Sequence, residues 1–245
     1  MTEPAVTLRG VAKNFPNGTQ ALRTTDVSIA RGSFVSLVGP SGCGKSTLLR
    51  LIAGLLTPSS GTITRAEGRV GFVFQESTLM PWASARDNVA LPLRLEDRPT
   101  EPGAMEALQR LGLGDFAASY PHELSGGMQM RVSIARAIVT SPTLLLLDEP
   151  FAALDEFTRF RLNDDLRALW QKHGWTIVFV THSVQEAVFL SERVIVMSPR
   201  PGGIVADLAI DLPQQRGGDF RLSAAFIDQC ARVSAAMNAA MAVPA

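Results

Sequence analysis

The run of residues 39–46 restricts the fold of this chain more than any other feature. It matches the pattern G-x-x-x-x-G-K-[ST], and it lies between the apolar run Phe34–Val38 and a stretch with apolar residues at helical spacing. A buried strand that passes through such a loop into a helix is a building unit of α/β folds. The glycines let backbone N–H groups converge on phosphate oxygens, and the following helix adds the positive end of its dipole. The run therefore predicts a phosphate-binding loop in an α/β fold.

Two side chains of this loop have specific predicted roles. Lys45 can reach the β- and γ-phosphates of a nucleotide, and the Ser46 hydroxyl can ligate Mg²⁺. A glycine-rich turn without a ligand is the alternative interpretation, and the flanking apolar strand and amphipathic helix argue against it. The residues expected at the nucleotide phosphates are Gly39, Pro40, Ser41, Gly42, Cys43, Gly44, Lys45, Ser46 and Thr47.

An acidic pair stands at the end of a second apolar run. Leucines fill positions 144–147, and Asp148 and Glu149 follow directly. Ligands bind at the carboxyl edge of parallel sheets, so a strand here would deliver both carboxylates to the expected site. Asp148 is expected to hold Mg²⁺ through water, and Glu149 to orient and deprotonate the attacking water as a general base. Capping of a helix N-terminus is the alternative role for either acid.

Composition and charge argue against several classes of protein. With 245 residues, of which 46% are apolar, the chain can bury a substantial core. The 23 basic residues balance the 23 acidic residues, which argues against a broad nucleic-acid or anionic-lipid surface. Two cysteines, Cys43 and Cys230, favour a reducing cytosol over a disulfide framework. The N-terminus lacks a signal-peptide pattern and no apolar stretch approaches the roughly 18 residues that span a bilayer, so membrane contact is expected only through a partner.

Strands and helices alternate along most of the sequence, which favours a parallel α/β core. Residues 76–123 break the alternation with five prolines, so they predict an inserted, mostly helical subdomain with helical pieces such as 103–111. Ser125 is expected to cap a helix that runs to about residue 139, with Met128, Val132, Ala135 and Val139 along its apolar face. Apolar residues between 222 and 233 predict a C-terminal helix. Strands are predicted at 6–9, 26–30, 34–38, 71–74, 144–147, 176–180, 193–197 and 204–206, and helices from 45, at 156–172 and at 183–190.

A third motif, residues 124–131, completes an ordered set. On its own it is a serine-capped, glycine-rich helix start. Placed between the phosphate loop and the acidic strand end, it makes the chain resemble the ATP-binding-cassette ATPases, the nucleotide-hydrolysing subunits of ABC transporters. The resemblance covers about residues 6–216 and implies that this run closes over ATP held by a second copy, with the Ser125 hydroxyl at the γ-phosphate. The residues implied in this contact are Ser125, Gly126, Gly127 and Gln129.

The same resemblance implies roles for four further residues. Gln75 corresponds to the family's Q-loop glutamine, which senses Mg²⁺ and the attacking water, and an ordinary loop residue is its alternative. His182 corresponds to the switch histidine at the γ-phosphate, and an ordinary surface or core histidine is its alternative. Asp155 corresponds to the D-loop aspartate, although the pair before it departs from the usual serine–alanine, and it can also cap the next helix. Phe15 stands where the family stacks an aromatic ring on adenine, and a core position at a strand end is its alternative.

The resemblance thus implies a complete ATPase site with ATP and Mg²⁺. Its catalytic residues would be Lys45, Gln75, Glu149 and His182, and its metal ligands Ser46, Gln75 and Asp148. The implied fold is an α/β P-loop NTPase (RecA-like) core with an N-terminal antiparallel β subdomain and an inserted α-helical subdomain. The expected organisation is one ATPase domain over residues 1–220, with the helical insert at about 76–140, and a C-terminal helical extension over 221–245.

Weaker likenesses between the motifs indicate a branch of the family, because they resemble the importer ATPases for nitrate, sulfonate and taurine. This implies ATP-driven uptake of a small solute at the cytoplasmic face of the inner membrane. The implied partners are a second ATPase copy, two integral membrane permease subunits and an extracytoplasmic solute-binding protein, and no nucleic acid. The alternatives are an importer ATPase for a vitamin precursor, a soluble ABC-type ATPase acting on the ribosome or nucleic acid, and a small-molecule kinase that would leave 125–129 and His182 unexplained. The stretches that carry the branch likeness are 79–82, 87–93, 151–155, 181–187 and 197–202.

Residues 76–95 bear on the contact with the membrane subunits. In the family, this stretch forms part of a groove that receives a coupling helix from the permease. Leu79, Met80 and Trp82 are the apolar residues expected at that contact. The alternative is that they pack inside the helical insert.

Overall fold

The computed structural model describes residues 3–242 of the chain. Short 3-10 turns lie at Gly114–Phe116, Pro121–Glu123 and Gly218–Leu222. In chain order, the strands and α-helices of this part are β1 Pro4–Asn14, β2 Gln20–Ala30, β3 Phe34–Val38, α1 Lys45–Ala53, β4 Ser60–Arg65, β5 Val70–Val73, α2 Ala85–Leu95, α3 Gly103–Arg110, α4 Gly126–Ile138, β6 Leu144–Asp148, α5 Glu156–His173, β7 Thr176–Val180, α6 Val184–Leu190, β8 Arg193–Met197, β9 Ile204–Ala209 and α7 Ala224–Ala242.

The chain divides into two compact units. The first unit consists of the described residues up to Glu67 together with those from Leu166 onward, and the second unit is Gly68–Asp165. The phosphate loop and His182 belong to the first unit. The acidic pair and the run 124–131 belong to the second.

The first unit contains an antiparallel sheet and a mostly parallel one. β1 pairs antiparallel with both β2 and β4. β3 pairs in parallel with β7 and β8, and β9 joins β8 antiparallel. β3 and β7 are buried along their whole length, which is typical of strands covered on both faces in α/β folds. Their apolar sequences are therefore explained by their central position.

The register of the parallel strands determines where their loops begin. Leu37 of β3 pairs with Val180 of β7 and with Ile195 of β8. The three strands therefore end at one edge of the sheet. The loops after β3, β7 and β8 begin at this carboxyl edge, where α/β sheets bind their ligands.

The second unit combines a parallel strand pair with three packed helices. β5 pairs with β6 so that Val73 lies opposite Leu147. α2, α3 and α4 pack against one another, and α4 also packs on β5. Gly71 permits that last contact, because a Cβ at this position would lie only 2.7 Å from the carbonyl oxygen of Ala137.

The structure corrects several predictions of local structure. β1 and β2 are longer than the predicted strands, because register shifts such as the one between Leu8 and Val11 interrupt the apolar alternation. β4 was not predicted, since its residues are almost all exposed and show no alternation. α2 lies within the predicted helical insert, where its bounds were not predicted, and it tolerates Pro92 near its end.

Helix α4 also differs from its prediction in the residues that it buries. Its bounds and its Ser125 cap confirm the predicted helix. Two of the four residues predicted on its apolar face, Met128 and Val139, are only half-buried. Most other residues of α4 are buried instead, because α2, α3 and β5 all pack against it.

The predicted C-terminal helix is present as α7, which packs on α6 and β8. The rings of Phe226 and Phe189 meet edge to face with their centroids 6.5 Å apart. Arg216 is almost fully buried and donates to the last carbonyls of α6, where a cation also complements the helix dipole. Within residues 3–242, no helix has the length and apolar character needed to cross a membrane.

Candidate functional site

The phosphate loop of residues 39–46 connects β3 to α1 as predicted. Gly44 has a φ of +99°, in the left-handed region that favours glycine. A Cβ at Gly44 would also lie 2.6 Å from the carbonyl oxygen of Ala21, so both the φ angle and this contact disfavour a side chain here. Ser41 and Gly42 are exposed at the surface of the loop. The loop thus combines tight packing behind with accessible backbone in front, which suits close approach of a phosphate group.

The backbone of the phosphate loop holds the side chain of Lys45. Its ammonium donates to the carbonyl oxygens of Gly39 at 2.8 Å and Pro40 at 3.0 Å. The side chain is only 4% exposed, so the charge lies inside the loop rather than in solvent. Ser46 and Thr47 follow in the first turn of α1, both half-buried. A cation inside a glycine-rich loop fits the predicted role of Lys45 in binding phosphate.

His182 lies just beyond the end of β7, at the edge where β3 delivers the phosphate loop. Its two neighbours are fixed by hydrogen bonds. The Thr181 hydroxyl donates to the buried carboxylate of Glu186 at 2.6 Å, and the Ser183 hydroxyl accepts from the Glu186 backbone N–H. His182 itself is exposed. The structure therefore places an accessible imidazole on a fixed backbone, and its contact with the γ-phosphate remains a prediction.

Phe15 lies in the turn that follows β1. Backbone hydrogen bonds close the turn. The Phe15 N–H donates to the carbonyl oxygen of Thr19, and the Gly18 N–H donates to the carbonyl oxygen of Phe15. The Lys13 ammonium lies 5.4 Å from the centre of the Phe15 ring. Because Phe15 is half-buried, part of its ring is accessible to a planar partner. Stacking on adenine remains a prediction.

The acidic pair ends strand β6, and β5 brings Gln75 to the same edge. Val73 and Leu147 are paired, so Gln75 and Glu149 each follow that pair by two residues, just after the ends of neighbouring parallel strands. Asp148 is almost fully buried at the last position of β6. Glu149 has a φ of +47°, which is uncommon for a residue other than glycine and is found at functional sites. The second unit thus brings together three of the predicted site residues, Gln75, Asp148 and Glu149.

Ser125 caps α4, as the sequence predicts. Its hydroxyl accepts from the Met128 N–H at 3.3 Å, and both Ser125 and Gly126 are exposed. The exposed end of α4 therefore carries a hydroxyl and helix N–H groups, which are the groups that bind anions at helix N-termini.

Gln129, a further polar residue of this run, forms its hydrogen bonds inside the second unit. Its amide donates to the carbonyl oxygens of Pro121 at 2.9 Å and Leu124 at 3.2 Å, and its amide oxygen accepts from the Ser77 hydroxyl. These bonds support the backbone that leads into α4. A direct contact between Gln129 and nucleotide remains a prediction.

Arg136 has contacts that the sequence pattern does not indicate. From the last turn of α4, its guanidinium donates to the carbonyl oxygens of Ser77 and Thr78 and to the Thr78 hydroxyl, each at 2.9 Å. Thr78 has a φ of +48°, so these bonds hold a strained backbone. Burial lowers the pKa of Arg136 below its ordinary value. Arg136 is one of two arginines in α4, and its carbonyl partners could not be predicted from the sequence.

Asp155 caps α5, which confirms one of its two predicted roles. Its carboxylate accepts from the Thr158 N–H at 3.0 Å, and this bond lowers the pKa of Asp155. The cap fixes the backbone but leaves the side chain exposed. A role of Asp155 across a dimer interface remains a prediction.

The stretch 79–82 is rigidly held although its aromatic residue faces solvent. Asn88 is fully buried, accepts from the Met80 N–H at 2.7 Å, and donates to the carbonyl oxygens of Met80, Ala83 and Ser84. Trp82 is 75% exposed, so the packing alternative is wrong for this residue. Leu79 is half-buried, as is Met80.

Comparison with known proteins identifies the family. The family model described as ABC transporter matches residues 22–152. The chain is 45% identical over 216 residues to an aliphatic sulfonates import ATP-binding protein, SsuB 1, of Pseudomonas syringae, covering 88% of this chain and 90% of that protein. It is 46% identical over 223 residues to the taurine import ATP-binding protein TauB of Rhizobium johnstonii, and the match covers 86% of this chain and 85% of that protein.

A solved structure agrees with these matches. The ATP-binding cassette MJ0796, solved as a dimer in a post-hydrolysis state bound to ADP and Pi, is 34% identical with a TM-score of 0.75. The match covers 85% of this chain and all of that one, and it confirms the predicted α/β P-loop fold. The family model and these relatives together show that this chain belongs to the ATP-binding proteins of the ABC transporters.

Proposed function

We propose that this protein is the ATP-hydrolysing subunit of an ABC importer, which drives uptake of a small solute through separate membrane subunits. The observation that carries the proposal is the phosphate loop, where Lys45 lies inside a glycine-rich turn between a central strand and a helix. Family membership supports ATP as the nucleotide. The named import subunits among its relatives favour transport over a role on ribosomes or nucleic acid.

The proposed roles follow from the chemistry of each side chain. Lys45 binds the β- and γ-phosphates, Glu149 takes a proton from the attacking water, and His182 contacts the γ-phosphate. Gln75 senses the water and the metal. Phe15 stacks on adenine, a contact worth about 1–3 kcal/mol for an aromatic ring on a base.

The donor set also fits Mg²⁺, which prefers oxygen ligands and keeps several waters. The Ser46 hydroxyl, the Asp148 carboxylate and the Gln75 amide oxygen would supply those ligands together with the phosphates. When bound, the ion would neutralise the charge of the β- and γ-phosphates.

The solute class is proposed from the relatives. Import subunits named for aliphatic sulfonates and for taurine match this chain over most of its length, and both solutes carry a sulfonate group. The ATPase does not itself meet the solute in this scheme. A solute-binding protein outside the membrane and the two permease subunits would select the sulfonate.

A second copy completes each site in this proposal. The related cassette MJ0796 is dimeric with nucleotide products bound. Ser125 and Gly126 are exposed at the N-terminus of α4, where they can meet the γ-phosphate of ATP held by a partner copy. Each dimer would thus hold two ATP molecules, and closure around them would drive the membrane subunits.

Trp82 is proposed to dock the permease on the cytoplasmic face of the membrane. The stretch that carries it is anchored by the four hydrogen bonds of Asn88, so the indole is presented without an entropic cost of ordering the loop. Exposed aromatic residues on rigid segments are frequent hot spots of protein interfaces. The protein would therefore associate with the membrane through its partners.

The Trp82→Ala variant tests this assignment. We expect it to hydrolyse ATP normally when purified alone but to lose co-purification with the two membrane subunits, because a hot-spot residue is typically worth about 2 kcal/mol or more. The measurement is affinity capture from membranes of cells that express the whole transporter, with solute uptake measured in parallel. Leu222→Ala is the matched control, since Leu222 is also 75% exposed. Normal capture and uptake with Trp82→Ala would contradict the docking assignment.

A further inference from the structure

The turn between β8 and β9, residues 198–203, lies directly against the phosphate loop. Gly202 is buried, and a Cβ at this position would lie 1.7 Å from the carbonyl oxygen of Cys43. The backbone of Gly202 is not in the left-handed region, so the conflict arises from contact and not from φ. A side chain at residue 202 could be accommodated only if one of the two loops moved.

Hydrogen bonds fix this turn to strand β2. The Gly202 N–H donates to the carbonyl oxygen of Ala21 at 3.2 Å, and the Gly202 carbonyl oxygen accepts from the Arg23 N–H at 2.8 Å. Ala21 is the residue whose carbonyl oxygen also packs closely behind Gly44. The two glycines, one in each loop, therefore share one support on β2.

The turn is also closed within itself. The Ser198 N–H donates to the carbonyl oxygen of Gly203 at 2.9 Å. The Ser198 hydroxyl accepts from the Gly203 N–H and from the guanidinium of Arg23. Ser198 is almost fully buried, so these bonds are shielded from water. The turn therefore keeps its own shape, and it cannot shift from its place without breaking its bonds to Ala21 and Arg23.

Two further contacts reach other parts of the phosphate loop. The exposed Arg200 donates from Nε to the carbonyl oxygen of Gly42 at 3.3 Å. The carbonyl oxygen of Met197, at the end of β8, would lie 2.8 Å from a Cβ at Gly39. The segment thus touches the phosphate loop at Gly39, Gly42 and Cys43.

We propose that the turn of residues 198–203 positions the backbone of the phosphate loop for binding the triphosphate, with Gly202 as its central residue. The proposal rests on the proposed function of residues 39–46 as an ATP-binding loop. Because the phosphate is bound by N–H groups that must converge, a loop held in the binding conformation loses less entropy on binding. Gly202 and Arg200 are positioning residues in this scheme, since they act through the loop.

The Gly202→Ala variant of the full chain is the test. We expect the Kd for Mg-ATP, measured by calorimetry, to rise about tenfold, because overpacking strain of ~1.4 kcal/mol corresponds to that ratio. We also expect faster hydrogen–deuterium exchange of the amides of residues 40–46 in the protein without nucleotide, with no change in β7. Gly217→Ala is the matched control, because a Cβ at Gly217 meets nothing within 4 Å and its φ is −125°.

The outcomes separate this inference from the proposed function. Failure of the wild-type protein to bind Mg-ATP would overturn the proposed function. Normal wild-type binding together with an unchanged Kd and unchanged exchange in Gly202→Ala would overturn only the positioning role. Should Gly202→Ala not fold, Arg200→Gln decides, since Arg200 is exposed: a raised Kd and faster exchange at residues 40–46 support the proposal, and wild-type values for both refute it.

Discussion

The Glu149→Gln variant is expected to bind ATP normally and to hydrolyse it about 10²–10⁴ times more slowly, because removal of a general base typically costs that much in rate. Glutamine keeps the size of glutamate but cannot take the proton of the attacking water. The backbone at this position is fixed at φ +47° at the end of β6, so the substitution changes chemistry more than geometry. We also expect the dimer to accumulate with ATP, because in the proposed cycle hydrolysis would reopen it.

Phosphate release and gel filtration with ATP measure these two effects. Glu67→Gln is the control for loss of a carboxylate, since Glu67 is exposed and lies outside the predicted site. Wild-type turnover by Glu149→Gln would show that another group activates the water. A parallel loss of ATP binding would instead assign Glu149 to binding.

The Lys45→Ala variant is expected to lose ATP affinity itself. Hydrogen bonds to charged groups contribute about 1.5–3 kcal/mol, so the Kd should rise about ten- to a hundredfold. The effect should exceed that of other loop residues, because Lys45 supplies the loop's own cation and also bridges Gly39 and Pro40.

Calorimetry with Mg-ATP measures this change, and thermal unfolding without nucleotide shows whether the fold survives. The chain has only three lysines, and the exposed Lys172 provides the matched control Lys172→Ala. An unchanged Kd in folded Lys45→Ala would remove the loop from the nucleotide site.

Features set by local pattern could be predicted from the sequence. The phosphate loop, the acidic end of β6 and the Ser125 cap each depend on a few neighbouring residues whose conformations are strongly restricted. His182 and Gln75 needed the family pattern as well, because a single histidine or glutamine after a strand has no distinctive signal.

Features set by distant parts of the chain could not be predicted. β4 is exposed and owes its structure to pairing with β1, and β1 has an interrupted pattern because of its register shifts. The contacts of Arg136 with the backbone of Thr78, and of Gly202 with Cys43, depend on tertiary packing that leaves no periodic trace. A glycine in a loop usually predicts a flexible turn. At residue 202, however, glycine is required because the carbonyl oxygen of Cys43 leaves no room for a Cβ.

In the proposed dimer, each site combines the phosphate loop of one copy with the run 124–131 of the other. Mixing two defective protomers tests this arrangement most directly. One carries Lys45→Ala and the other Ser125→Arg, both in the Glu149→Gln background so that bound ATP persists. In a two-fold dimer, the mixed pair would contain one site with both defects and one site with neither. We predict one ATP retained per mixed dimer after gel filtration, and none in dimers of either variant alone. Absence of retained ATP in the mixed dimers would show that each copy uses its own run 124–131, and would contradict the account.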